Sequence, residues 1–303
     1  MSTFPSTARV IRRTIRATLA VAAAATVLCM TACAQPEPAA STSPPAMPTP
    51  APSTPASAPP VPALTRSDIA ALPAAVYDAV IPGLQPAPAG PLTASTAHSV
   101  MFDTPLFAAD RVTPVARIPA TDFRGQRTVV VPIRTDGPWA LVLTPARQVL
   151  PSQVAPGDAA APAQTVAWMP AANLAGSTAL GKTVRISVVA QKLSILDTSG
   201  GVTASWSVGV GTEETPTPTG VTGYLQARYT DPEQGQSVHP IQLTTLHATA
   251  ADEPFGGADG GLIGIHFFEQ NTGAVSHGCV RVSAEAIDAL NALPLGTLVT
   301  VEN

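Results

Sequence analysis

Nine residues separate His266 from the run Ser276-His277-Gly278-Cys279-Val280-Arg281, so two histidines precede one cysteine close to the C-terminus. A thiol is a strong nucleophile at neutral pH only as its thiolate, and a neighbouring imidazole either removes the proton or holds it in an ion pair. His266 and His277 are the available bases. Gly278 permits close substrate approach and unusual dihedrals beside the sulfur. A helix beginning at Ser283 would aim its positive end at the thiolate if the chain folds back that way. The bland alternative is a buried cysteine acting as a small hydrophobe, and the polar Ser276-His277-Gly278 context argues against it. His266, His277 and Cys279 have zinc-ligand character, but no fourth ligand stands out, so no metal and no organic cofactor is expected. Arg281 suits a substrate carboxylate and a loop salt bridge equally. His239 and His247 match no catalytic role and read as loop or surface histidines.

The cysteine count bears on Cys279. The other two, Cys29 and Cys33, lie at the end of an N-terminal segment in which Arg9, Arg12, Arg13 and Arg16 precede an apolar run from Ala17 to Met30. Charged start and short apolar run are those of a secretory signal, residues 1–32, too short to read first as a spanning helix. Met30-Thr31-Ala32-Cys33 resembles a lipobox, which implies lipidation of Cys33, with simple cleavage as the alternative. Arg12-Arg13 leaves the export route open. Cys279 is then the one free thiol expected in the mature protein, without a disulfide partner.

Eleven of the 33 prolines fall between Ala34 and Ala63, in a Pro/Ala/Ser/Thr stretch that cannot form a core. Residues 33–63 therefore read as a stalk, and about 30 residues of polyproline-like chain reach roughly 90 Å. A formal net charge of -4 carries no basic patch, which excludes a nucleic-acid partner. The expected place of the protein is outside the cytoplasmic membrane.

The elements that must position the site come next. Residues 64–96 read as two short helical turns between Ser67 and Val80, with Ser67 as N-cap and Pro73 interrupting, followed by a linker. Residues 97–175 carry short β runs at 115–118, 129–133 and 140–143. The tryptophan segments around Trp139 and Trp168 resemble strands of bacterial SH3-like domains, which implies a small barrel and a cell-wall ligand; the favoured reading of the two rings is plain core anchors of a small domain. From Val184 the pattern is a hairpin, then strands at 221–228 and 241–246 with a polar flap between them at 231–239. A helix from Ser283 to about Leu293 and a strand at 298–301 end the chain. The fold class is mainly β.

A histidine after a strand, a loop, then Ser-His-Gly-Cys, a hydrophobic residue and Arg is the pattern of the L,D-transpeptidase (YkuD) family, and residues 181–303 resemble it. Thr217-Pro218-Thr219-Gly220 looks like its Pro-Thr-Gly loop. The resemblance implies a YkuD-type β-sandwich, Cys279 as nucleophile, His266 as general base and then acid, His277 in the same site, and Ser276 and Gly278 shaping the loop. It further implies peptidoglycan stem peptides as substrates, 3-3 cross-links as products and carbapenems as covalent inhibitors. L,D-carboxypeptidase activity, or a wall-binding scaffold without turnover, are the other readings. Phe267 departs from the pattern, standing where a glycine often follows the histidine, so a side chain there does not orient His266 and a backbone carbonyl is left to do it.

Overall fold

The computed structural model describes residues 58–251 and 261–303; the expected signal segment, Cys33 and most of the stalk lie outside the described residues. Helix α1 (Arg66–Ala71) starts one residue before Ser67 and is capped by Thr65, whose hydroxyl accepts from the Asp68 amide at 3.2 Å while the Asp68 carboxylate accepts from the Thr65 amide at 2.8 Å. It ends at Ala71 because Pro73 holds Leu72 extended. No second helical turn follows: Ala74 and Val80 instead make bridges to Arg117 and Arg147.

Eight strands precede residue 181: β1 (Gln85–Pro86), β2 (Thr96–Val100), β3 (Thr104–Phe107), β4 (Pro114–Ile118), β5 (Val129–Asp136), β6 (Trp139–Thr144), β7 (Thr165–Pro170) and β8 (Leu174–Ala179). They pair in the order β4-β3-β7-β6-β5-β2-β8, with β1 also on β7. The two tryptophan segments are neighbouring antiparallel strands, and both rings are buried core anchors. Guanidinium groups of Arg111 and Arg134 lie 4.0 and 4.7 Å from the Trp168 ring.

The second sheet has ten strands. They are β9 (Lys182–Ser187), β10 (Lys192–Asp197), β11 (Val202–Ser207), β12 (Gly209–Gly211), β13 (Val221–Asp231), β14 (Gln236–His247), β15 (Leu262–Phe267), β16 (Gly273–Ser276), β17 (Val280–Val282) and β18 (Leu298–Glu302). Their order is β11-β10-β9-β18-β13-β14-β15-β17-β12-β16. Strand β13 belongs to two halves: Val221–Tyr224 pair with β18, and Leu225–Asp231 pair with β14. Apolar residues of both halves meet in one core, Val184, Ile186 and Leu193 from one side and Ile263, Ile265 and Val280 from the other. This is the expected β-sandwich. Helix α2 (Ala284–Asn291), capped by Ser283, fills the same core with Ala286, Ile287 and Leu290.

Two expectations are corrected here. The segment 231–239 is no separate flap: it extends β13 and β14 into a long hairpin whose turn, Pro232–Gln234, is capped by Asp231 and closed by Gly235 at φ +74°. His247 is no surface residue either. It is 1% exposed on β14, where its Nε2 bonds the Pro145 carbonyl at 2.9 Å and its amide donates to Ala163 at 2.8 Å. His239 is also on β14, half-buried, with its ring 4.7 Å from Phe267 and Nδ1 3.5 Å from Asp288. Both His247 contacts reach the connection between β6 and β7, as does Thr245 to the Gln164 side chain (2.6 Å), and Tyr224 reaches the Val129 carbonyl on β5 (2.9 Å).

Candidate active site

Strand register decides which side chains meet. Ile265 lies opposite Val280 and His266 opposite Arg281 in the parallel pair β15–β17. Successive side chains alternate between faces, so Ile265 and Val280 enter the core while His266, Cys279 and Arg281 share the other face. Across β14, Leu243 pairs with Gly264 and Gln242 with Ile265; across β13, Tyr229 pairs with Ile241. The same register carries a row from Arg281 through His266 and Ile241 to Tyr229. A neighbouring row holds Cys279, Gly264 and Leu243. Helix α2 packs with Ile265 and Val280 and so lies behind the sheet. Its positive end is therefore not the aid to the thiolate that the sequence suggested.

Cys279 is partly accessible and is the free cysteine of the described residues. Its sulfur accepts from the Gly264 amide at 3.4 Å, and its thiol hydrogen is directed to the Leu262 carbonyl at 3.6 Å. Burial pushes the thiol's pKa above its ordinary value, against the lowering pull of the Gly264 bond and the Arg281 charge. His266 is shifted the other way: burial holds it below the usual imidazole value, and Arg281 adds to that, while its bond to the Phe267 carbonyl opposes it. Both shifts oppose the charged form of the group concerned.

The Phe267 carbonyl selects the tautomer. His266 Nδ1 lies 3.1 Å from that oxygen, so Nδ1 carries the hydrogen and Nε2 keeps its lone pair. The same carbonyl accepts from Gln236 Nε2 at 2.9 Å, and Gln236 Nε2 is 3.5 Å from Nδ1. Gln236 is 5% exposed, and its Oε1 has no hydrogen-bond partner among the described residues. The amide cannot be turned over, because Oε1 would then face the Phe267 oxygen. The Phe267 side chain points away, against His239 and the core. A phenylalanine is thus accommodated after the histidine because only its carbonyl is used.

The turn bearing the cysteine is held from inside. Ser276 is buried, its hydroxyl donating to the Cys279 carbonyl at 2.5 Å and its own carbonyl accepting from Thr215 Oγ1 at 3.2 Å and the Thr212 amide at 3.0 Å. Gly278 has φ +105°, a conformation that side chains disfavour. Its carbonyl accepts from Thr217 Oγ1 at 2.8 Å, and Thr217 Oγ1 in turn accepts from the Gly211 amide at 2.9 Å. A Cβ at Gly211 would fall 2.2 Å from the Thr215 carbonyl, so this close approach needs glycine. His277 is exposed on the same turn. The Arg281 guanidinium lies 4.2 Å from the Phe268 ring, whose centroid is 6.3 Å from that of His266.

The structure therefore brings Cys279, His266 and Arg281 to one face and places Ser276, Gly278 and His277 in the turn below. The sequence did not disclose Gln236 or the tie from Thr217. A signal existed for each. Asp231-Pro232-Glu233-Gln234-Gly235 is a tight-turn sequence, and Thr217 sits between Pro216 and Pro218 in a loop with no core to fill. Among the described residues no cluster of three or more His, Cys, Asp or Glu side chains forms a metal site.

A sandwich with a histidine on one strand and a cysteine in the turn that leads into its parallel neighbour defines the class as a cysteine–histidine domain of mainly β fold. Residues 181–301 match the model of the YkuD family, L,D-transpeptidase catalytic domain. Similar solved structures include the Ldtfm-avibactam carbamoyl enzyme, 19% identical, covering 41% of this chain and 49% of that chain with a TM-score of 0.28. An L,D-transpeptidase (Yku) from Stackebrandtia nassauensis is 19% identical over 41% of this chain and 56% of that chain, TM-score 0.30. An L,D-transpeptidase from Mycobacterium smegmatis is 15% identical over 58% of this chain and 91% of that chain, TM-score 0.32. The chain thus spans about half the length of the first two. A search of curated proteins gives no match.

Proposed function

We propose that the protein is an L,D-transpeptidase acting on peptidoglycan stem peptides through a thioester on Cys279. The observation that carries this reading is the tautomer set by the Phe267 carbonyl, which leaves His266 Nε2 as a base on the sheet face that bears Cys279. As the sulfur attacks the carbonyl of the stem's third residue, Nε2 takes the thiol proton. Amides of Gly278 and Cys279 receive the oxyanion. The C–N bond to the terminal D-alanine then breaks, and the proton passes to the leaving amine. An amine from a neighbouring stem attacks the thioester, gives its proton back to His266 and restores the thiol as the 3-3 cross-link forms. His277 supports the turn from its exposed side, and Cys33 anchors the exported chain to the membrane, which palmitate labelling against Cys33→Ala checks.

The test is the intact mass of the protein after incubation with a carbapenem. One covalent adduct is expected on the wild type and none on Cys279→Ala. An unmodified wild type, or the same adduct on both, would remove the nucleophile assignment. Product analysis with a tetrapeptide donor, with and without an acceptor amine, separates transfer from hydrolysis.

A further inference from the structure

The row of residues across the site face ends on a group from the other sheet. Between β4 and β5, the Asp122–Gln126 turn is rigid: the Asp122 amide donates to the Gln126 carbonyl at 2.8 Å, and the Asp122 carboxylate accepts from the amides of Arg124 (2.8 Å) and Gln126 (2.9 Å). Its tip is fixed by aromatic packing, Phe123 edge-on to Tyr77 at 4.9 Å and to Tyr229 at 5.9 Å. This sets the Arg124 guanidinium 5.2 Å over the Tyr229 ring. Arg124 is exposed, and among the described residues no carboxylate lies within ion-pair distance of it.

Tyr229 connects this cation to the nucleophile. It shares a face with His266 and Arg281 by register. Burial raises its hydroxyl above its ordinary value, Asp231, Tyr77 and Cys279 push the same way, and Arg124 opposes them. From β17 through β15 and β14 to β13 is three strand spacings, about 14 Å. With the third carbonyl of a stem on Cys279, the third and second residues cover about 7 Å of that distance at ~3.4 Å each, and a carboxylate on the second residue together with the outstretched Arg124 guanidinium spans the remainder.

We propose that Arg124 binds a carboxylate of the stem peptide one or two residues upstream of the residue whose carbonyl is presented to Cys279, so that the turn between β4 and β5 completes the substrate site. Arg281 stands at the other end of the row, and the peptide lies between two guanidinium groups. The inference rests on Cys279 being the acylated thiol, and the experiment keeps the two apart.

Alkylation of Cys279 by iodoacetamide is followed in the full chain by mass spectrometry of the Cys279-bearing peptide. Protection is titrated with a stem peptide carrying free carboxylates and with the same peptide amidated upstream of its diamino acid. In the wild type the acidic peptide protects at lower concentration. In Arg124→Gln that preference falls about fivefold, the size of a well-formed exposed ion pair, and Arg124→Lys retains part of it. An equal preference in wild type and Arg124→Gln, or no protection by either peptide, overturns the proposal. Carbapenem adduct formation on the same wild-type sample reports on the nucleophile: an adduct together with an unchanged preference refutes Arg124 alone, and no adduct refutes the reading beneath it.

Discussion

Acid should weaken the junction between the two sheets through His247. The side chain is 1% exposed, Nε2 donates to the Pro145 carbonyl, and Nδ1 is a buried lone pair with no partner among the described residues. Burial, reinforced by the Arg147 charge and opposed by the Pro145 bond, lowers its pKa from 6.5 to about 3. The folded value lies below the unfolded one, so the unfolded chain binds the extra proton first. The contribution of neutral His247 is complete above about pH 6.5 and is lost as pH falls from there towards 3. Linkage gives a loss of about 2 kcal/mol between pH 7 and pH 5, rising to at most ~5 kcal/mol below pH 3. His247→Gln retains an amide donor for Pro145 and does not titrate. Urea midpoints, read by tryptophan fluorescence at pH 7 and pH 5, should show the wild type losing about 2 kcal/mol more than the variant between the two pH values. Equal losses in the two proteins would refute the buried neutral histidine.

Two further perturbations test the site. Gln236→Leu removes one of the two donors on the Phe267 carbonyl, and carbapenem acylation should slow about tenfold, the equivalent of ~1.4 kcal/mol of hydrogen bonding, with Cys279→Ala remaining inert; an unchanged rate means that His266 needs no help from the hairpin. Gly278→Ala forces a side chain into φ +105° with its Cβ 3.0 Å from Ile263 Cδ1, so thermal melting should fall by the equivalent of about 1–3 kcal/mol and adduct formation should slow with it; a variant as stable as the wild type would show that the turn relaxes freely.

Local chemistry was legible in the sequence and long-range pairing was not. Ser276, Gly278 and Cys279 sit within one turn, so their spacing alone states what the turn must do. The last helix was readable because Ser283, Glu285 and Pro294 mark its cap, first turn and end. Gln236 reaches the site from 30 residues upstream of His266, and Thr217 from 61 residues before Gly278. Neither leaves a periodic trace, since a single polar residue in a strand is indistinguishable from one facing solvent until its neighbour strand is known. His247 was misread for the same reason: its burial comes from the connection between β6 and β7 of the eight-stranded sheet, about 80 to 100 residues earlier.

Phe267 shows how a departure from a motif can leave the chemistry intact. In a strand, the residue after the histidine points to the opposite face, so its side chain is free to serve the core while its carbonyl stays beside the imidazole. The structure uses that separation: the Phe267 ring packs against His239 and the core, and the Phe267 oxygen holds both His266 Nδ1 and Gln236. The orientation of the base is thus a property of the strand and the hairpin beside it. Side-chain volume at position 267 bears on the His239 contact and so on stability, whereas loss of the hairpin's Gln236 bears on the rate. Substitutions at these two positions should therefore separate the core from the chemistry of one carbonyl.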